Sequence, residues 1–84
     1  MEPMDIAVAR KFKNLALNLS HSGQAVSSWE ALLDVLESGD FTDPEAVLTM
    51  LQQAANVVRA REHLKVFEGR LAQLIARAER AQCD

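Results

Sequence analysis

Two apolar stripes, each stepping by threes and fours, run along this chain, and one short corner parts them. The first takes in Val8, Phe12, Leu15, Leu19, Val26, Trp29, Leu33 and Leu36, with Ser22 filling its one gap. The second runs through Val57, Ala60, Leu64, Phe67, Leu71, Leu74 and Ala78. It follows a broader apolar start at Val47, Leu48, Met50, Leu51, Ala54 and Ala55. Steps of three and four gather side chains on one side of a helix, in the manner of a coiled coil. A half-buried strand would alternate by twos. With only three glycines and two prolines, and with alanine, leucine, glutamate, arginine and glutamine abundant, the reading is an all-α chain.

The corner is "SGDFTDPEA", residues 38 to 46. Gly39 suits the residue just past a helix end, where a left-handed backbone is common. Asp43 suits an N-cap, with Pro44 at the first helical position, and Thr42 with Glu45 fits a capping box. Arm one is expected over about 4–38, the corner over 39–43 and arm two over about 44–80. "SHSGQ" at 20–24 marks a weak point in arm one, but the stripe keeps its phase across it. Arms of this length would each be on the order of 50 Å long. A short corner between them folds one rod back on the other, giving an antiparallel helical hairpin in one domain. Phe12, Leu15, Leu19, Trp29, Leu33, Leu36, Leu64, Phe67, Leu71 and Leu74 form its expected core.

A chain of 84 residues holds one small core, supplying roughly 3–5 kcal/mol of net stability. The single cysteine, Cys83, leaves no internal disulfide to add to it. Helix packing or a partner must supply the rest. Apolar residues also lie off both stripes: Leu17 and Leu32 in arm one, Val58, Val66 and Ile75 in arm two. Either the stripes are wide and a further short helix folds over them, or these five residues face a protein partner, as exposed apolar patches often do. The expectation is a homo-oligomer or a complex with another helical protein.

Little in the chain suggests chemistry. His21 and His63 have no acid or cysteine neighbour at ligand spacing and read as surface residues; no catalytic residue, metal ligand or cofactor is expected. Bases are interleaved with acids and the net charge is −3, which is poor for nucleic acid. No run of about 20 apolar residues could span a bilayer. The opening "MEPMDIAVARKFK" lacks the pattern of a cleaved signal, so synthesis in the cytoplasm is expected, with export open to an assembly subunit. Residues 24–43 carry Glu30, Asp34, Glu37, Asp40 and Asp43 and no base. Residues 59–80 and the start of the chain hold the bases. In a hairpin this makes an acidic corner and a basic opposite pole, which suits head-to-tail stacking.

"MDIA" at 4–7, "SGQAV" at 22–26, "DFTDPEAVL" at 40–48 and "LKVFEGRLAQLI" at 64–75 together resemble the small helical-hairpin proteins of bacterial type III secretion, the needle-subunit family in particular. The resemblance implies a non-enzymatic subunit that assembles by packing alone. The small cytoplasmic co-chaperones of needle subunits are similar in size and helical character, and imply instead a chaperone or adaptor holding a partner helix. A third reading is a coiled-coil dimer with a regulatory role.

Overall fold

The Asp-Pro pair begins a helix as its chemistry requires. The Asp43 carboxylate accepts a hydrogen bond from the Ala46 N–H at 3.3 Å, and Pro44 opens the helix with its missing donor where none is needed. Such a cap is worth about 0.5–2 kcal/mol. The computed structural model describes residues 3–18 and 26–83. Helices α1 (Met4–Asn18), α2 (Val26–Ser38) and α3 (Pro44–Ala60) are followed by a 3-10 helix (Glu62–Phe67) and α4 (Glu68–Cys83). No strand occurs among the described residues. The expected weak point at 20–24, the core candidate Leu19, His21, and the side chain of His63 lie outside them.

The second arm is not one rod. Arg61 has an extended backbone, φ −121° and ψ 115°, and ends α3. The 3-10 helix then turns the chain so that α4 packs back against α3. Helix α3 lies between α1 and α4, while α2 rests on α1 and, more lightly, on α4. This four-helix arrangement replaces the long two-arm hairpin. The molecule measures 37 × 24 × 18 Å, too short for arms on the order of 50 Å. Its accessible surface of 5045 Å² matches the roughly 5,000 Å² of a globular monomer of this mass.

The physical reason is the breadth of the apolar faces. A two-rod hairpin would cover one stripe per arm. Folding arm two on itself covers two sides of α3, whose Val47, Leu51, Ala54, Ala55 and Val58 are all buried. Ala9 and Ala16 on α1 are likewise buried, and small side chains at these points let the helices approach closely. Of the expected core, Phe12, Trp29, Leu33, Leu36, Leu64, Phe67, Leu71 and Leu74 are buried, and Leu15 packs half-buried against them.

Trp29 is the hub. Phe12 of α1 meets its ring edge-on with centroids 4.4 Å apart, and Phe67 of the 3-10 helix stacks on it at 5.4 Å. One side chain of α2 thereby joins three elements. Aromatic pairs in these geometries add about 0.5–1.5 kcal/mol beyond their buried area.

Gly39 does not adopt the left-handed conformation expected of it, since no described glycine has a positive φ. The end of α2 is closed from outside instead. The Arg77 guanidinium, from α4, donates to the Leu36 and Glu37 carbonyl oxygens at 3.1 and 3.2 Å and also to that of Gly39. A cation at a helix C-terminus meets both the unpaired carbonyls and the negative end of the dipole. Its flat face also lies 4.5 Å from the Phe41 ring centroid.

Candidate protein-interaction face

Helix α1 turns Val8, Ala9, Phe12 and Ala16 to the core, and α2 turns Trp29, Leu33 and Leu36 there. Each helix leaves an adjoining side uncovered, and these sides meet in a groove. From α1 it is lined by Lys11, Asn14, Leu15 and Asn18; from α2 by Ser28, Ala31 and Leu32. Its volume is about 540 Å³. Leu15 and Leu32 form its floor, half-buried against the core. Toward the other end of the pair lies a smaller hollow of about 210 Å³, where Met4, Val35 and Phe41 come together. Met4 is 74% exposed and Val35 41%. The two helices are antiparallel, because Asn18 and Ser28 share one end of the pair, and Met4 and Val35 the other.

The five residues expected on a partner surface do not share one face. Val58 is fully buried in the core, so its assignment to a free face is overturned. Ile75 packs half-buried against the same core, beside Ala55 and Arg59 of α3. Val66 is 74% exposed on the 3-10 helix, and Leu17 is exposed near the end of α1. Only Leu32 lines the groove. Ala31, Asn14, Asn18 and Ser28 carried no apolar signal in the sequence. Val35 lies off the first stripe, on the side toward Leu32.

The acidic and basic segments meet inside the molecule. Arg70 of α4 forks onto Glu37, Nε–Oε2 3.1 Å and Nη2–Oε1 2.7 Å, and also reaches Asp34 Oδ1 at 2.6 Å. Arg77 lies 3.8 Å from Asp40. The expected separation into an acidic and a basic pole is therefore not what the fold makes of these charges. The hydrogen bonds from Arg70 hold the Glu37 carboxyl below its usual range, against a smaller opposing effect of burial. Glu37 and Asp34 together raise the affinity of Arg70 for its proton. All three side chains are about one-third exposed or more, so the network contributes less than a buried one would.

Asp5 ties the start of α1 to the corner. It accepts hydrogen bonds from the Thr42 N–H at 3.0 Å, the Thr42 hydroxyl at 2.7 Å and the Asp43 N–H at 3.4 Å. Thr42 is thus engaged by α1 and does not serve as the cap of α3. Burial disfavours the charge on Asp5, but the hydrogen bonds from Thr42 and Asp43 together outweigh it, and the carboxyl titrates below its ordinary value.

For both carboxylates the sign is the same. Because the folded value is depressed, their stabilisation is complete above the ordinary values of 3.8 for Asp5 and 4.5 for Glu37. It is lost as pH falls through the lower folded values. The thermal midpoint should therefore begin to drop as pH falls below about 5 and keep falling as the two carboxylates protonate. Asp5→Asn combined with Glu37→Gln should lower stability at neutral pH and flatten that drop. An acid limb of unchanged slope in the double variant would assign it to other groups.

No group of three or more His, Cys, Asp or Glu side chains gathers among the described residues. None of the described helices is long and apolar enough to cross a membrane. What fold and face define, among the described residues, is a small all-α body with a pair of antiparallel helices whose outer side no other described element covers. No protein-family model, curated protein or solved structure matches the chain.

Proposed function

We propose that the chain is a non-enzymatic assembly protein that works by packing its outer α1–α2 face against another helical protein. The observation that carries this is the groove itself. Leucines form its floor, Lys11 and small or neutral polar residues its walls, and exposed Met4 and Val35 extend it along the helix pair. Helices recognise one another through such lengthwise apolar grooves. Its resemblance to small type III secretion proteins suggests a setting in which helical subunits are held or stacked. The compact four-helix body supports the chaperone or adaptor role, acting in the cytoplasm, because the groove exists before any partner arrives.

The needle-type reading rests on a different observation. Apolar residues keep their three-four spacing from Val57 to Ala78, and no glycine or proline falls between Glu45 and Glu68. In an assembled state α3, the 3-10 helix and α4 would join into one arm, restoring the hairpin, with neighbouring subunits covering what the monomer covers by itself. That reading expects growth into polymers.

A photo-reactive residue at position 31, on the groove wall, tests the proposal in cells that make the protein. Ala72, exposed on α4, serves as the control position. The expected result is an adduct from position 31 alone, identified by mass spectrometry as a second copy or a helical component of a secretion apparatus. No adduct from position 31, or equal labelling from both positions, would overturn the assignment of this face.

A further inference from the structure

Between Glu45 and Glu68 the chain has neither glycine nor proline, and its three-four stripe holds phase from Val57 to Ala78. Nothing local forbids one helix from Pro44 to Cys83. What divides it is the extended residue Arg61 and a 3-10 helix of six residues, Glu62–Phe67. Such runs rarely exceed three or four residues, and one set between two helices often marks a hinge. Beyond it, α4 lies back on α3 and buries Leu71, Leu74 and Ala78. Ile75 of α4 sits beside Ala55 of α3, and the two positions are equally far from Lys65, inside the 3-10 helix.

We infer that residues 61–67 are a hinge through which two copies of this chain exchange α4. In the exchanged pair α3, the hinge and α4 of each copy form one helix of about 60 Å. Two such helices, laid antiparallel with Lys65 at their crossing, place Ile75 of one beside Ala55 of the other. The pairing that one chain makes by folding back is thus remade between two chains by straightening, and the pair closes on itself across a two-fold axis.

The helix that covers α3 has the same sequence in both forms, so the exchange needs no new complementary surface. Arg70 keeps Asp34 and Glu37 as partners, and Arg77 keeps the carbonyl oxygens that end α2, now across two copies. The closed chain also stacks Phe67 on Trp29, which straightening the 3-10 helix disturbs, so the closed form prevails when the protein is dilute. Gly69 opposes joining as well. It is exposed in the first turn of α4 but would fall in the middle of the joined helix, where glycine is a poor former. The inference takes the joined arm of the needle-type reading and names what covers it. It leaves the α1–α2 face open in both copies.

Exchange requires α4 to leave α3, so the test is refolding from urea over a concentration series, followed by size exclusion with light scattering. A dimer of twice the 9.3 kDa chain is expected. Small-angle scattering should give it a maximum dimension of at least about 60 Å, against a length of 37 Å for the closed chain. Glu62→Pro separates the two forms. Arg61 already has the extended backbone that a following proline imposes, and Glu62 is the exposed first residue of the 3-10 helix. Proline there fits the closed chain but bars the joined helix, because its ring would clash with the Val58 carbonyl. This variant should stay monomeric at every concentration, with a raised thermal midpoint. Gly69→Ala, whose added methyl meets nothing within 4 Å, should raise the dimer share several-fold. A wild type that refolds only to monomer at about 1 mM, the weak end of useful affinity, would overturn the inference. So would a compact dimer, growth beyond two copies, or a Glu62→Pro chain that still dimerises or fails to fold. Labelling from position 31 reports separately on the α1–α2 face. An adduct there with a wild type that refolds only to monomer leaves the proposed function standing and removes the exchange. A proline-sensitive dimer without that adduct does the reverse.

Discussion

Replacing Trp29 by alanine should leave the chain unfolded at room temperature. Trp29 is fully buried, and its ring is held between Phe12 of α1 and Phe67 of the 3-10 helix. Truncating a buried tryptophan costs about 3–5 kcal/mol. A core of this size supplies only about that much in total. The loss also strips α2 of its link to the 3-10 helix, so the remaining side chains cannot collapse onto the gap without moving two elements. Circular dichroism with a urea titration measures the outcome: no cooperative transition for Trp29→Ala. A companion variant separates volume from polarity. The indole Nε1 is buried and has no hydrogen-bond partner among the described residues. Trp29→Phe removes that unsatisfied donor while keeping a ring against Phe12 and Phe67, so it should cost much less than the alanine change. A Trp29→Ala protein that unfolds cooperatively with a midpoint close to wild type would show that the aromatic cluster does not hold the fold together.

What could be read in the sequence, and what could not, divides by range. Asp43 and Pro44 act on the helix that they begin, through bonds three residues away, and their spacing alone shows it. Helical character follows in the same way from the three-four steps. The break at Arg61 has no such local mark, because residues 58–67 contain neither glycine nor proline. It exists because Phe67 finds burial against Trp29 and Leu64 in the same core, and because α4 can then cover α3. The stripe stayed in phase through the break, so periodicity read one arm where the chain makes two helices. The Arg70 and Arg77 contacts join residues 33 to 41 positions apart, beyond any pattern of spacing. Charge counting saw the acidic and basic segments but assigned them to neighbouring molecules. The groove was legible only at Leu32. Asn14, Asn18, Ser28 and Ala31 line it because of where α1 and α2 meet, and neither polarity nor size distinguishes them beforehand.

Val58 and Val66 give the sharpest separation between the two architectures, because the same substitution should act on them in opposite ways. On a continuous second arm both lie off the main stripe, and glutamate at either would meet a partner surface. The four-helix fold separates them. Val58 is 0% exposed on α3, whereas Val66 is 74% exposed on the 3-10 helix that follows the break. Val58→Glu places a carboxylate among apolar side chains, where the desolvation of one unpaired ion costs several kcal/mol. With total stability of about the same size, the variant should lose its fold, or keep it only at a pH low enough to protonate the glutamate. Val66→Glu places the same group in water and should shift stability by no more than about 0.5 kcal/mol. Thermal unfolding of both variants at neutral pH reads the difference directly. Equal tolerance at the two sites would mean that Val58 is accessible and that arm two is a continuous rod. A Val66 variant that unfolds would mean that the 3-10 helix is covered on the side it exposes here. Loss at Val58 with none at Val66 requires the chain to turn between them, and that turn brings α4 back over α3 and leaves α1 and α2 with the open face.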